Sequence, residues 1–136
     1  MKRTRTELLY RDPSIAIEFN PMDGWMYVNW RGYQNKESVM AGCLKMLDIM
    51  KEIACYRILN DNTLVEGQWS SAAKWLADKW FPAMFEARLQ QFAWVYSPST
   101  FSRLSTDKTL KLANFPESIK VFDDIAQAKD WLRSQA

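Results

Sequence analysis

The sequence predicts an α/β domain: a mixed β-sheet that opens with an antiparallel hairpin, continues through strand–helix crossovers and carries about four helices. Three observations predict it. Residues 14–19 alternate Ile15, Ile17 and Phe19 with Ser14, Ala16 and Glu18, and the turn-forming run Asn20-Pro21-Met22-Asp23-Gly24 leads straight into a second strand-like stretch. At Asn35 the apolar spacing changes from the period of a strand to that of a helix. From there to the end, short apolar runs alternate with helical ones, the order of a sheet with helices packed on it. A chain of 136 residues, 48% apolar and 25% charged, fits one domain over 1–136 with a single core.

The elements follow in order. Thr6 to Tyr10 is a short opening strand, Ser14 to Phe19 the first hairpin strand and Trp25 to Trp30, aromatic and β-branched, the second. Asn35 is placed to cap a helix whose apolar stripe is Val39, Cys43, Met46, Leu47, Met50 and Ile53. Tyr56 to Leu59 is short and apolar, as a central strand should be. Helical spacing returns over residues 70–88 with Ala73, Leu76, Trp80, Met84 and Ala87, and Pro82 should bend that helix because the Asp78 carbonyl loses its donor. Phe92 to Tyr96 is the next strand. Two helical pieces follow, one from Thr100 and one capped by Ser105, then the strand Ser118 to Phe122 and a last helix entered through Asp124 and Gln127 as a capping box.

Composition narrows the function classes. Residues 1–60 hold nine basic and seven acidic side chains and residues 61–136 hold nine of each, so no field exists to capture a polyanion and no nucleic-acid partner is expected. Lys2, Arg3 and Arg5 read as a solvated terminus. The absence of histidine removes the usual acid–base catalyst, the common nucleophile–histidine arrangements and most zinc sites. Cys43 and Cys55 are about 18 Å apart at helical rise, too far for a disulfide within that helix, and read as buried thiols of a reducing cytosol. No apolar run of signal-peptide length follows MKRTRTELLY, and no stretch approaches a membrane span, so a cytoplasmic protein is expected.

Five stretches carry a resemblance: Val28-Asn29-Trp30-Arg31-Gly32 closing the hairpin, Tyr56 to Asp61, Trp75-Leu76-Ala77-Asp78-Lys79-Trp80-Phe81-Pro82, Phe92-Ala93-Trp94-Val95, and Val121-Phe122-Asp123-Asp124 with Ala128 and Trp131-Leu132. With the element order they make the chain similar to the SpoIIAA-like (STAS-like) family of small bacterial α/β proteins, which some classifications group with CRAL-TRIO lipid-binding domains. The resemblance spans almost the whole chain. In the anti-sigma-factor antagonists of that fold, a serine in an Asp-Ser-Ser/Thr-Gly stretch at the start of the helix after the central strand is phosphorylated and controls partner binding. Ser70 and Ser71 fall near that position, with Trp69 in place of the acid and Ala72 in place of the glycine. The resemblance thus implies a non-catalytic regulatory or interaction module, with Ser70 and Ser71 as candidate phosphorylation sites.

Other residues offer further chemistry. Asn60, Asp61, Asn62 and Thr63 form a polar cluster at the carboxyl end of a parallel strand, the edge where open α/β sheets bind ligands, and are expected to make a polar loop. An EF-hand reading fails, because the fifth position of a loop starting at Asp61 is Val65. Asp61, Glu66, Asp123 and Asp124 are the carboxylates near that edge, and no spacing brings two of them together, so neither an enzyme nor a metal or cofactor is expected. Trp75 and Trp80 lie five apart, about 140° around an α-helix, and cannot both centre one face. With Phe81, Met84 and Phe85 they are candidates for an apolar groove or an interface. The leading expectation is therefore an unidentified protein partner docking on residues 70–88 and the preceding loop; the alternative is an apolar small-molecule or lipid carrier with those five residues as walls. A homodimer is left open.

Overall fold

The computed structural model describes residues 5–113 and 117–135, so Lys2 and Arg3 lie outside the described residues. Six strands, β1 Glu7–Arg11, β2 Ile15–Asn20, β3 Trp25–Tyr33, β4 Arg57–Glu66, β5 Gln91–Val95 and β6 Ile119–Phe122, form one sheet in sequential order. β1, β2 and β3 pair antiparallel, and β3 to β6 pair parallel. Four helices pack on it: α1 Lys36–Ile53, α2 over residues 70–86, α3 Thr100–Leu112 and α4 Ile125–Ser134. The α/β class, the hairpin entry and the helix count are those the sequence predicts.

The two faces of the sheet bury different cores. Ile15, Ile17, Met26, Val28, Ile58 and Phe92 face α1 and α2, whose Met46, Met50, Leu76, Phe81 and Met84 close the larger one. Trp25, Leu59, Ala93 and Val95 meet Ala128 and Leu132 of α4 on the other face. Strand alternation assigns neighbouring residues to opposite cores, which is why β5 and residues 58–62 of β4, covered on both sides, are almost continuously buried. Gly42 lets α1 approach this closely: a Cβ there would sit 2.3 Å from the Trp30 ring.

Caps behave as read at α1. The Asn35 side chain accepts from the Ser38 backbone N–H at 2.8 Å, while Ser38 Oγ accepts from the Asn35 N–H at 3.0 Å. At α4 the cap is Asp124 alone, accepting from the Ala126 N–H at 3.0 Å, rather than a reciprocal box with Gln127.

Three expectations change. β4 is ten residues long, not four, and runs through the whole polar cluster. Pro82 is preceded by a π-helical stretch, Leu76–Trp80, in which the Phe81 N–H bonds the Leu76 carbonyl five residues back. Pro82 has no N–H to bond the Asp78 carbonyl, and the chain widens by one residue per turn there. That widening also alters the angular offset between Trp75 and Trp80: Trp80 is interior and Trp75 packs half-buried against the same core. Finally, α3 is one continuous helix; Ser105 is buried within it and donates to the Phe101 carbonyl at 3.0 Å instead of starting a second piece. Among the described residues, no helix is long and apolar enough to cross a membrane.

Candidate functional site

Asn60, Asp61, Asn62 and Thr63 form part of β4 rather than a loop, and their side chains divide between the two faces of the sheet. On the helix side, Trp30 Nε1 donates to Asn60 Oδ1 at 2.9 Å and Asn60 Nδ2 donates to Asn62 Oδ1 at 3.3 Å. On the other side, Asp61 accepts from the Tyr27 hydroxyl at 2.6 Å and from the Thr63 N–H at 2.9 Å. Asparagine and aspartate disfavour strands, but here Asn60 and Asp61 each have a cross-strand partner, and Asn62 is held by Asn60 on its own strand. Thr63 itself is exposed.

The Tyr27 phenol is held well above its usual range, first by burial and then by its hydrogen bond to the Asp61 carboxylate. Tyr96 is pushed up to about 12, again by burial first and by Asp107 second. A raised phenol pKa means that the folded protein keeps a proton the unfolded chain would release. That stabilisation is complete below the unfolded value near 10 and is lost as pH rises through the folded value. The buried thiols Cys43 and Cys55, also raised by burial, act with the same sign. Stability from urea titrations is therefore expected to fall above about pH 10, and Tyr27→Phe is expected to flatten that fall relative to wild type. An unchanged alkaline slope in the variant would separate Tyr27 from the effect.

The carboxylates do not converge. Asp61 pairs in register with Val95, and Val95 with Phe122, so Asp61 is separated from the Asp123 end of β6 by two strand spacings, roughly 10 Å. Asp123 is held by Arg103 at 2.7 Å and Asp124 by the α4 backbone. Among the described residues no three acids or cysteines gather as a metal site.

The proposed apolar groove residues are mostly interior. Trp80, Phe81 and Met84 are buried, with Phe81 packed edge-on against Phe92 at 5.2 Å and Trp80 donating its N–H to the Cys43 carbonyl at 2.7 Å. Trp75 and Phe85 are half-buried against them. These five side chains build core and its margin, not the wall of an open groove, because the π turn rotates Trp80 inward. The cavity between sheet and helices measures only about 30 Å³ and is lined by Trp30, Asn60, Asn62, Trp69, Trp80 and Trp94 among others. A larger cleft of about 280 Å³ between β2, β3 and α4 is edged by Glu18, Asp23 and Lys129, a charged rim unsuited to an acyl chain.

Ser70 and Ser71 begin α2 in a single tight turn, Ser70–Ala72, and neither side chain caps it; the capping position is Trp69. Ser71 is exposed, whereas Ser70 is half-buried and accepts from Gln68 Nε2 at 2.7 Å. Trp69 is tied to α3: its backbone N–H donates to Ser105 Oγ and its indole N–H to Ser102 Oγ, both at 3.1 Å. Its ring stacks on Trp94 with centroids 6.2 Å apart.

This clamp sets which side of α3 faces inward. The buried side of α3 is Ser102, Ser105, Thr106 and Thr109, spaced i, i+3, i+4, i+7, while Phe101 (64% exposed), Leu104 (58%) and Leu112 (47%) face solvent. The helix has its polarity inverted. Its hydroxyls are satisfied within the helix or by Trp69, as where Thr109 donates to the Ser105 carbonyl at 2.9 Å. The hydroxyl spacing was visible in the sequence; that it marked the inner face was not. Comparison with protein-family models, curated proteins and solved structures finds no match.

Proposed function

We propose that this chain is a non-catalytic interaction module of SpoIIAA-like (STAS-like) type, and that it docks a protein partner through the outer face of α3. The observation that carries the reading is the inverted polarity of that helix. Small hydroxyl residues hold it close to α2, and its large apolar side chains are left outside, where burying them needs another molecule. Lys108 and Lys111 are exposed on the same side as Phe101, Leu104 and Leu112, so the partner is an apolar segment flanked by acidic residues. The partner surface therefore moves from α2, where the spacing of aromatics first pointed, to α3. Ser71, exposed at the start of α2 beside α3, is where a phosphate would alter that surface.

The test compares capture of partners by wild type, Leu104→Glu and, as control, Leu44→Glu on the exposed side of α1. Truncating or charging a central apolar anchor is expected to weaken binding by about 2 kcal/mol, roughly 30-fold, while the control binds as wild type. Equal binding by all three sinks the proposal. Sedimentation is run alongside: a wild-type dimer that Leu104→Glu dissociates would assign the face to a second copy and overturn the heterologous reading.

A further inference from the structure

Four tryptophans line the small cavity beneath α1 and α2, and the fate of their N–H groups separates one from the rest. Trp30 donates to Asn60, Trp69 to Ser102 and Trp80 to the Cys43 carbonyl. Trp94, only 4% exposed, lines the same cavity with an N–H that has no partner among the described residues. A buried donor left unpaired is costly, and native interiors rarely retain one. Asn62, also 4% exposed on the cavity wall, accepts from Asn60 through Oδ1 at 3.3 Å and sets its amide beside the same space. The cavity thus offers one unpaired N–H donor between aromatic walls, and among the described residues the only ionisable side chain lining it is the Cys43 thiol. Its position is toward the carboxyl ends of the parallel strands, where open α/β sheets receive ligands.

We propose that this cavity is a binding site for a small neutral molecule, or the end of one, that presents a carbonyl or hydroxyl oxygen to Trp94 Nε1 beside the Asn62 amide, with water occupying the site when no such molecule is supplied. A neutral donor with no neighbouring cation selects an uncharged acceptor over an anion or an amine. About 30 Å³ admits two or three non-hydrogen atoms and excludes a lipid chain.

Formamide, which has three such atoms and one carbonyl oxygen, is the probe. In ¹H–¹⁵N spectra of the intact protein, the Trp94 indole resonance is expected to show a water cross-peak despite its burial. It should then shift saturably with formamide at a dissociation constant of about 1 mM or weaker, while the Trp25 and Trp131 indoles on the other face do not move. Asn62→Leu is expected to weaken the response about tenfold, and Trp94→Phe, which removes the N–H and also assigns the peak, to abolish it. If Trp94→Phe does not fold, wild type and Asn62→Leu decide alone. A Trp94 indole with no water contact and no formamide response means a dry cavity, and one with a water contact but no response means a fixed structural water; either result overturns the proposal.

Discussion

Phe81→Ala is expected to cost about 3–5 kcal/mol, the largest effect of any single truncation in this fold. Phe81 is fully buried and touches four other rings: Trp80 at 4.8 Å, Phe92 at 5.2 Å, Trp94 at 5.8 Å and Phe85 at 6.5 Å between centroids. It is also the residue whose N–H closes the π turn, so its backbone is held and cannot move in to fill the space. The loss is a large share of the roughly 5–15 kcal/mol that keeps a domain folded. A fall in melting temperature on the order of 10–20 °C should accompany it. Phe85→Ala is the internal comparison, since Phe85 is half-buried on the next turn and should cost about 1 kcal/mol. Equal losses in guanidinium titrations of the two variants would contradict the placement of Phe81 at the centre of the cluster.

Asn60→Leu is expected to cost about 2–4 kcal/mol although it makes a central strand more apolar. Leucine has the same branched heavy-atom skeleton and suits the burial, so hydrophobic transfer alone predicts a gain. The opposing effect is that Trp30 Nε1 loses its acceptor and Asn62 Oδ1 loses its donor, both among buried residues. An unpaired buried donor outweighs the transfer gain, because the N–H gives up its water and receives nothing back. The diagnostic is a double-mutant cycle in urea. Trp30→Phe removes the orphaned N–H, so Asn60→Leu should cost at least 1 kcal/mol less in that background than in wild type. Additive costs would mean that the Trp30–Asn60 bond contributes nothing.

Much of the architecture was legible because it depends on local period and local chemistry. The alternation at Ile15, Ile17 and Phe19, the Pro21–Gly24 turn and the Asn35 cap act within a few residues of themselves. Tertiary packing has little to overrule there. The polar run at Asn60 reads as a loop for the opposite reason, although it is strand. Propensity counts amides against a strand, and the partners that reverse the count, Trp30 and Tyr27, lie 30 and 34 residues away.

The candidate surfaces divide in the same way. Which residues were chemically notable, the serines, the amides and the aromatics, followed from the sequence, as did the buried state of both cysteines. Which of them reach solvent was decided only by the assembled structure. One extra residue in the turn before Pro82 carries Trp80 inward. Two hydroxyls accepting from Trp69 turn α3 so that Phe101 and Leu104 point out. The sign of an amphipathic face is a property of what packs against it. For α3, small hydroxyls that permit close approach outweigh large apolar side chains that would hold the helix away, and periodicity, which fixes the angle between the two faces, does not say which of them is inside.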